Sequence, residues 1–177
     1  MSVIINGSAG VTTNSGAVYD SLQSATAKSA TGTSVDFTGI PSWVKRITVV
    51  LSGVSTNGTS LVQIQLGDSG GFEITDYTST IYSTTTAPLV GANTSTSGML
   101  AASSVGAASS FTGIMSIVLL NTSNTWVATC ITSRSTNSLY STSTSSKSLS
   151  GTLTQVRITT VNGTDTFDDG TINIIYE

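Results

Sequence analysis

Histidine is absent from this 177-residue chain, cysteine occurs once, proline twice, and only six basic and nine acidic side chains are present. Without histidine, the side chain that most readily moves protons near neutrality is missing, and so are histidine-containing zinc sites. A single cysteine, Cys130, excludes an internal disulfide framework. Charged residues make up 8% of the chain, against about 25% in an ordinary soluble protein. The six cations, Lys28, Lys45, Arg46, Arg134, Lys147 and Arg157, are scattered and the net charge is −3. Binding to DNA or RNA needs clustered cations to displace phosphate counterions, so no nucleic-acid partner is expected. The longest aliphatic run is Ile117-Val118-Leu119-Leu120, far short of the roughly 20 residues that span a bilayer. Residues 1–7 carry neither a basic flank nor an apolar core of signal-peptide length, so no secretory route and no membrane insertion are expected.

What fills the chain instead is hydroxyl: 31 serines and 32 threonines. Mean hydropathy is nevertheless positive, at +0.23. A free monomer ordinarily protects itself with dense mixed charge. A chain this poor in charge is expected to bury much of its surface against copies of itself and to hydrate the rest through hydroxyls and amides.

Two regions differ in pattern. Residues 1–34 hold short apolar touches separated by Gly, Ser, Ala and Thr, cannot bury a core alone, and read as an extended arm. Val3, Ile4, Ile5, Val18, Tyr19 and Leu22 are its candidate docking residues. Val18, Leu22 and Ala25 fall near helical spacing, which allows a short helix over 16–28. From residue 35 to residue 177 the period is two. Ile47, Val49 and Leu51 share one face of a run, and Val62, Ile64 and Leu66 share one face of the next, opposite Gln63 and Gln65. Asn57-Gly58 between them predicts a hairpin pairing the two. Further strands are expected over 111–120, 125–132, 152–161 and 171–176. Asn121 to Asn124 should turn the first of these into the second, and Asp168-Asp169-Gly170 should turn the last pair. The stretch 84–110 reads as a wandering connection with one edge strand. Seven or eight short antiparallel strands predict an all-β, two-sheet sandwich of jelly-roll type behind the arm.

Gly67-Asp68-Ser69-Gly70-Gly71 matches the nucleophile loop of chymotrypsin-like proteases, but the histidine base that would activate the serine does not exist here. Two glycines beside Asp-Ser make a tight turn. Asp68, Glu73 and Asp76 form one acidic group, and Asp165, Asp168 and Asp169 another. The first lacks any sign of the facing geometry of glycosidases. The second lacks calcium-loop spacing and a ligating glutamate, and turn chemistry accounts for it. No catalytic, cofactor or metal site is therefore expected. Trp43 and Trp126 read as core, whereas Tyr77, Tyr82 and Tyr140, in polar stretches, are candidate receptor-facing aromatics.

The blocks Thr38 to Val49, Gly53 to Ser60, Gln65 to Gly71 and Val156 to Glu177 together resemble a family of tailed-bacteriophage virion structural proteins, often of the tail-fibre type. The resemblance covers about residues 35–70 and 148–177. It implies a non-enzymatic, trimeric β-sandwich head behind a short N-terminal segment, displayed on the virion surface after assembly in the host cytoplasm. A fibre tip needs a long shaft, and 34 residues fully extended reach on the order of 110 Å at most, without any heptad or triple-helix repeat to build one. The expectation is thus a homotrimeric capsid decoration protein, a cement or head knob, held to the capsid by its arm. The alternative is a tail-fibre tip that recognises a host surface glycan or protein.

Overall fold

The computed structural model describes residues 3–6, 10–13, 16–17, 22–85, 91–103, 106–107, 109–120, 123–136 and 138–177. Its strands, in chain order, are β1 (Val3–Asn6), β2 (Gly10–Thr13), β3 (Gly16–Ala17), β4 (Gln23–Ser24), β5 (Lys28–Ser29), β6 (Ser34–Thr38), β7 (Arg46–Thr56), β8 (Val62–Asp68) and β9 (Gly71–Phe72). They continue as β10 (Thr78–Thr84), β11 (Gly91–Ser95), β12 (Met99–Ala102), β13 (Phe111–Leu119), β14 (Thr125–Arg134), β15 (Tyr140–Ser148), β16 (Gln155–Thr160) and β17 (Phe167–Tyr176). The described residues contain no α-helix, and every strand pairing is antiparallel.

The larger sheet runs β11-β10-β15-β14-β13-β7-β17, with β4 and β5 both lying along the outer edge of β17. The smaller sheet runs β12-β8-β16-β6, with β9 folded back on β8. The two sheets pack as a sandwich because their period-two apolar sets face each other. The larger sheet contributes Ile47, Val49 and Leu51 from β7, Met115 and Ile117 from β13, Trp126 from β14, and Ile172 and Ile174 from β17. Val62, Ile64 and Leu66 from β8, Val156 and Ile158 from β16, and Val35 and Phe37 from β6 meet them from the smaller sheet. Trp126 is core as expected, and Trp43 packs partly buried against that core with its ring centroid 6.1 Å from that of Tyr176.

Three expectations about connection are corrected. First, β7 and β8 are not a hairpin. Both edges of β7 are taken by β13 and β17, and both edges of β8 by β12 and β16. The segment after β7 crosses between sheets instead, tied to the segment before β17: Asn57 N–H donates to Thr166 O, Thr166 N–H to Asn57 Oδ1, and Ser60 N–H to Asp165 Oδ2, each at 2.9 Å. Neither Asn57 nor Gly58 has the positive φ that a two-residue hairpin turn would demand. Second, Asp168, Asp169 and Gly170 do not turn β16 into β17. They lie inside β17, where the register against β7 slips between Phe167 and Asp169 and again between Asp169 and Thr171. Two bulges, not a turn, are what the Asp-Asp-Gly run encodes. Third, residues 16–28 form no helix where described: β3, β4 and β5 are extended.

The expected arm also divides differently. Residues 23–24 and 28–29 pair with β17, and Ala30 is buried in the sandwich core. β1, β2 and β3 pair among themselves. In 84–110 the chain makes two edge strands where one was expected: β11 beside β10, and β12 beside β8. The hairpin β13–β14 forms as expected, with Leu119 opposite Trp126.

Gly170 has φ +99°, and a Cβ there would lie 2.5 Å from Val54 Cα. Gly170→Ala is therefore expected to destabilise the fold by about 1–3 kcal/mol, read as a lowered midpoint in urea unfolding. An unchanged midpoint would mean that the bulge tolerates a side chain.

Candidate functional site

The outward face of the larger sheet is the most unusual surface of the molecule. Along β13 and β14 the inward positions are mostly apolar, as a core requires, with Thr132 the buried exception. Apolar side chains also stand outward, alternating with Ser and Thr: Ile114 sits directly opposite Ile131, and Val118 opposite Val127. All four are exposed, Ile131 by 51% and Val127 by 42%, and Leu120 follows at the strand end. On either side the face continues as Thr142 and Thr144 of β15, Thr80 and Tyr82 of β10, and Thr48 and Val50 of β7. Across β10, β15, β14 and β13 no outward position holds Asp, Glu, Lys or Arg. At the margin Arg46, opposite Val118, pairs with Glu177.

Two of the three tyrosines proposed from sequence fall on this face. Tyr82 is opposite Thr142, and Tyr140 is opposite Thr84 two residues along the same pair of strands, so the two residues occupy diagonal positions. Tyr77 is not receptor-facing. It is 2% exposed, accepting the Leu66 N–H at 2.8 Å and donating to Glu73 O at 2.9 Å. Burial, outweighing the Leu66 hydrogen bond that acts the other way, pushes its hydroxyl well above the ordinary tyrosine range. Its polar neighbours in sequence belong to a loop folded against β8 and β15, which is why sequence context misplaced it. Of the arm residues, Leu22 is exposed. Val3, Ile4 and Ile5 lie in β1; Val18 and Tyr19 lie outside the described residues.

Composition did not single out Ile114, Val118, Val127 and Ile131. The signal was present: β13 carries branched aliphatics at both odd and even positions, and in β14 Val127 and Ile131 alternate with Trp126, Ala128 and Cys130, the mark of strands covered on two sides.

The other sequence candidates resolve into structure. Gly67 to Gly71 is the tight turn between β8 and β9. Asp68 accepts from Gly70 N–H at 2.7 Å and from Ser150 Oγ at 2.8 Å. The Ser150 hydroxyl foremost, then the Gly70 amide, holds its carboxyl below the ordinary range. Asp165 accepts from Asn162 Nδ2 at 2.7 Å and, with the Ser60 amide, is likewise held low. Asp168 accepts from Ser55 Oγ. Among the described residues no group of three metal-ligating side chains converges. The Cys130 thiol is buried and pushed up to about 12 by that burial.

Lys147, 4% exposed, pairs with Glu73 at 2.6 Å, donates to Thr75 O at 3.0 Å and lies 5.2 Å from the Tyr77 ring centroid. Burial raises the Glu73 carboxyl, but the Lys147 and Ser150 hydrogen bonds with the Lys147 charge bring it below the ordinary value.

Neither a protein-family model nor a curated protein matches the chain.

Two predictions follow from the ion pair. Glu73→Gln leaves an ammonium buried and unpaired and is expected to cost about 3–5 kcal/mol, with Lys147→Met in addition recovering part of the loss in urea unfolding. A carboxyl lowered by folding contributes stability above its unfolded value and loses it as pH falls through the folded one. Wild-type melting temperature should accordingly be level above pH 4.5, the unfolded value for Glu73, and decline on acidification below it. The Glu73→Gln variant should show a smaller decline over that range. Equal declines would remove Glu73 from the acid response.

Proposed function

We propose that this protein is a non-enzymatic structural component of a tailed-phage virion surface, a homotrimeric capsid decoration protein with a jelly-roll-like head. In this reading the N-terminal arm, through Val3, Ile4, Ile5, Val18, Tyr19 and Leu22, attaches it to the capsid. The observation that carries the reading is the uncharged outward face of the larger sheet. Its four strands β10, β15, β14 and β13, at about 4.8 Å spacing and roughly eight residues deep, present on the order of 500 Å² without a charged side chain, and β7 and β17, which carry Arg46, Asp168 and Asp169, extend the face to on the order of 750 Å². A stable protein interface covers about 800 Å² per partner. A face without charges meets its own copy without repulsion, and it offers nothing for a charged partner to complement. Three such faces turned toward one axis close a prism with an Ile, Val and Thr interior. The resemblance to phage virion proteins supplies the setting, and the scarcity of charge over the whole chain agrees with it.

A second reading, a tail-fibre tip that binds a host surface glycan or protein, is favoured by one observation: Tyr82 and Tyr140 are both exposed on the same face. The two readings use the face in opposite ways, since a face covered by sister subunits is closed to a receptor.

In solution the full chain is expected to sediment at three times its 18.0 kDa. Val118→Lys with Ile131→Lys, both outward and exposed, should dissociate it to monomers without lowering secondary structure. A wild-type monomer, or a trimer indifferent to these charges, would refute the assembly. Electron microscopy of intact particles, with the protein labelled, should place it on the head; labelling at the tail tip would favour the second reading.

A further inference from the structure

We propose that a cleft on the outward face of the smaller sheet is a binding site for a neutral saccharide. The cleft, about 390 Å³, lies over β8 and β16 and is walled by Ser97, Ile74 and the turn after β16. That volume falls in the range of small-molecule sites. On β8 the alternation sends Val62, Ile64 and Leu66 inward and Gln63 and Gln65 outward, yet both glutamines are nearly inaccessible, at 1% and 6% exposed. Residues 95–97 cover them. Gln63 Oε1 accepts from Ser95 Oγ at 3.3 Å and Ser97 Oγ at 3.0 Å, and Gln65 Nε2 donates to Ser97 O at 3.0 Å.

These bonds use only one end of each amide. Gln63 Nε2 and Gln65 Oε1 have no partner within the described protein, and neither is sealed from the cleft. A buried polar group costs stability unless something satisfies it. Two residues apart on one face of a strand, a fixed donor and a fixed acceptor are spaced by about 7 Å. Sugar hydroxyls both donate and accept, so a pyranose ring can satisfy both.

The remaining lining removes the competing ligand classes. Arg157 is spent: it donates from Nε and Nη2 to the two Asp36 oxygens, at 2.8 Å each, and its guanidinium lies 4.1 Å from the Phe72 ring centroid. An anion therefore finds no free positive charge, and a cation finds no free carboxylate. An extended peptide binds by adding to a strand edge, whereas this cleft lies on a sheet face. An apolar ligand would leave both amides unpaired. Ile74 and Val161, exposed by 58% and 41% beside the cleft, offer the apolar contact that the C–H face of a sugar ring takes. The site faces away from the larger sheet and does not depend on assembly through it.

The test is a titration of the ¹⁵N-labelled full chain, followed by NMR, with methyl α-D-glucopyranoside, methyl β-D-galactopyranoside and N-acetyl-D-glucosamine. Triglycine and inorganic phosphate serve as the competing chemistries. At least one sugar should shift the side-chain amide signals of Gln63 and Gln65, while triglycine and phosphate should not. Gln63→Leu should weaken that binding by about tenfold. Val161→Arg, an exposed change that leaves folding intact, should block it. The proposal is overturned if no sugar moves the two amides, if triglycine or phosphate moves them instead, or if the response survives Val161→Arg unchanged.

Discussion

The free edge of β12 is the constraint on which the sandwich depends. As the last strand of the smaller sheet, β12 pairs with β8 on one side only, and the backbone groups along its other side would be left unpaired inside the protein. The larger sheet satisfies them with side chains. Ser79 Oγ accepts the Leu100 N–H at 2.9 Å, Ser143 Oγ donates to Leu100 O at 2.6 Å, and Thr132 Oγ1 donates to Ala101 O at 3.0 Å. Cys130 Sγ reaches the same Ala101 oxygen at 3.5 Å. Each such bond is worth about 1 kcal/mol net, and each orphaned backbone group would cost about 1–3 kcal/mol. A strand edge is also a template for unwanted pairing. Hydroxyl side chains close this one without adding a strand.

β15, which supplies Ser143 to that edge, secures the neighbouring region by a different means. β15 turns Ser141, Ser143, Ser145 and Lys147 inward. Its serines also bond across to β10, Ser145 to Ser79 at 2.8 Å and Ser141 to Ser83 at 2.9 Å. Lys147 then reaches the loop after β9, where Glu73, the Thr75 carbonyl and the Tyr77 ring surround its ammonium. Tyr77 passes the connection on to the backbone of β8 through Leu66. β15 thus shares with β10 and β14 in holding the edge of the opposing sheet with hydroxyls, and holds the loop beside it with a buried cation. That use of Lys147 is also why a scarce charge sits in the interior of a chain with so few at its surface.

How much of this could be read beforehand followed from the chemistry of each strand. β7, β8, β13, β16 and β17 have branched aliphatics on their inward face and β14 has Trp126, Ala128 and Cys130 there, and period two located them. The partners of β7 and β8 were not legible, because a local turn signal says nothing about which distant strands occupy each edge. Asn57-Gly58 resembles a hairpin turn, and only the pairing of Ile47 with Tyr176 and Ile117 shows that it leads out of the sheet. β10 and β15 were missed altogether, since their inward residues are mostly serine and carry no hydrophobic period. The aromatics divided for the same reason: Tyr82 and Tyr140 stand on solvent-facing positions of those two strands, whereas Tyr77 is drawn in by the backbone of Leu66 and Glu73. The two buried glutamines were visible as the polar side of β8. Their concealment by residues 95–97 was not, because it depends on where β11 and β12 fall.

The serine and threonine of β15 are not interchangeable, although both are small and hydroxylated. Along Tyr140 to Ser146 serine occupies the inward positions 141, 143 and 145, and threonine the outward positions 142 and 144. A one-residue slip of a strand exchanges its two faces. Here a slip would drive threonine methyl groups against the backbone of β12, where the hydrogen bonds need a hydroxyl that approaches closely, and overpacking of that kind is costly. It would also remove the β-branched residues from the outward side, where they suit a pleated surface. Register in this part of the sheet is therefore specified by size within a single polar class, in place of the usual contrast between apolar and polar. A segment that reads as low-complexity can in this way carry a unique pairing, and the uncharged outer face of the sheet is its direct by-product.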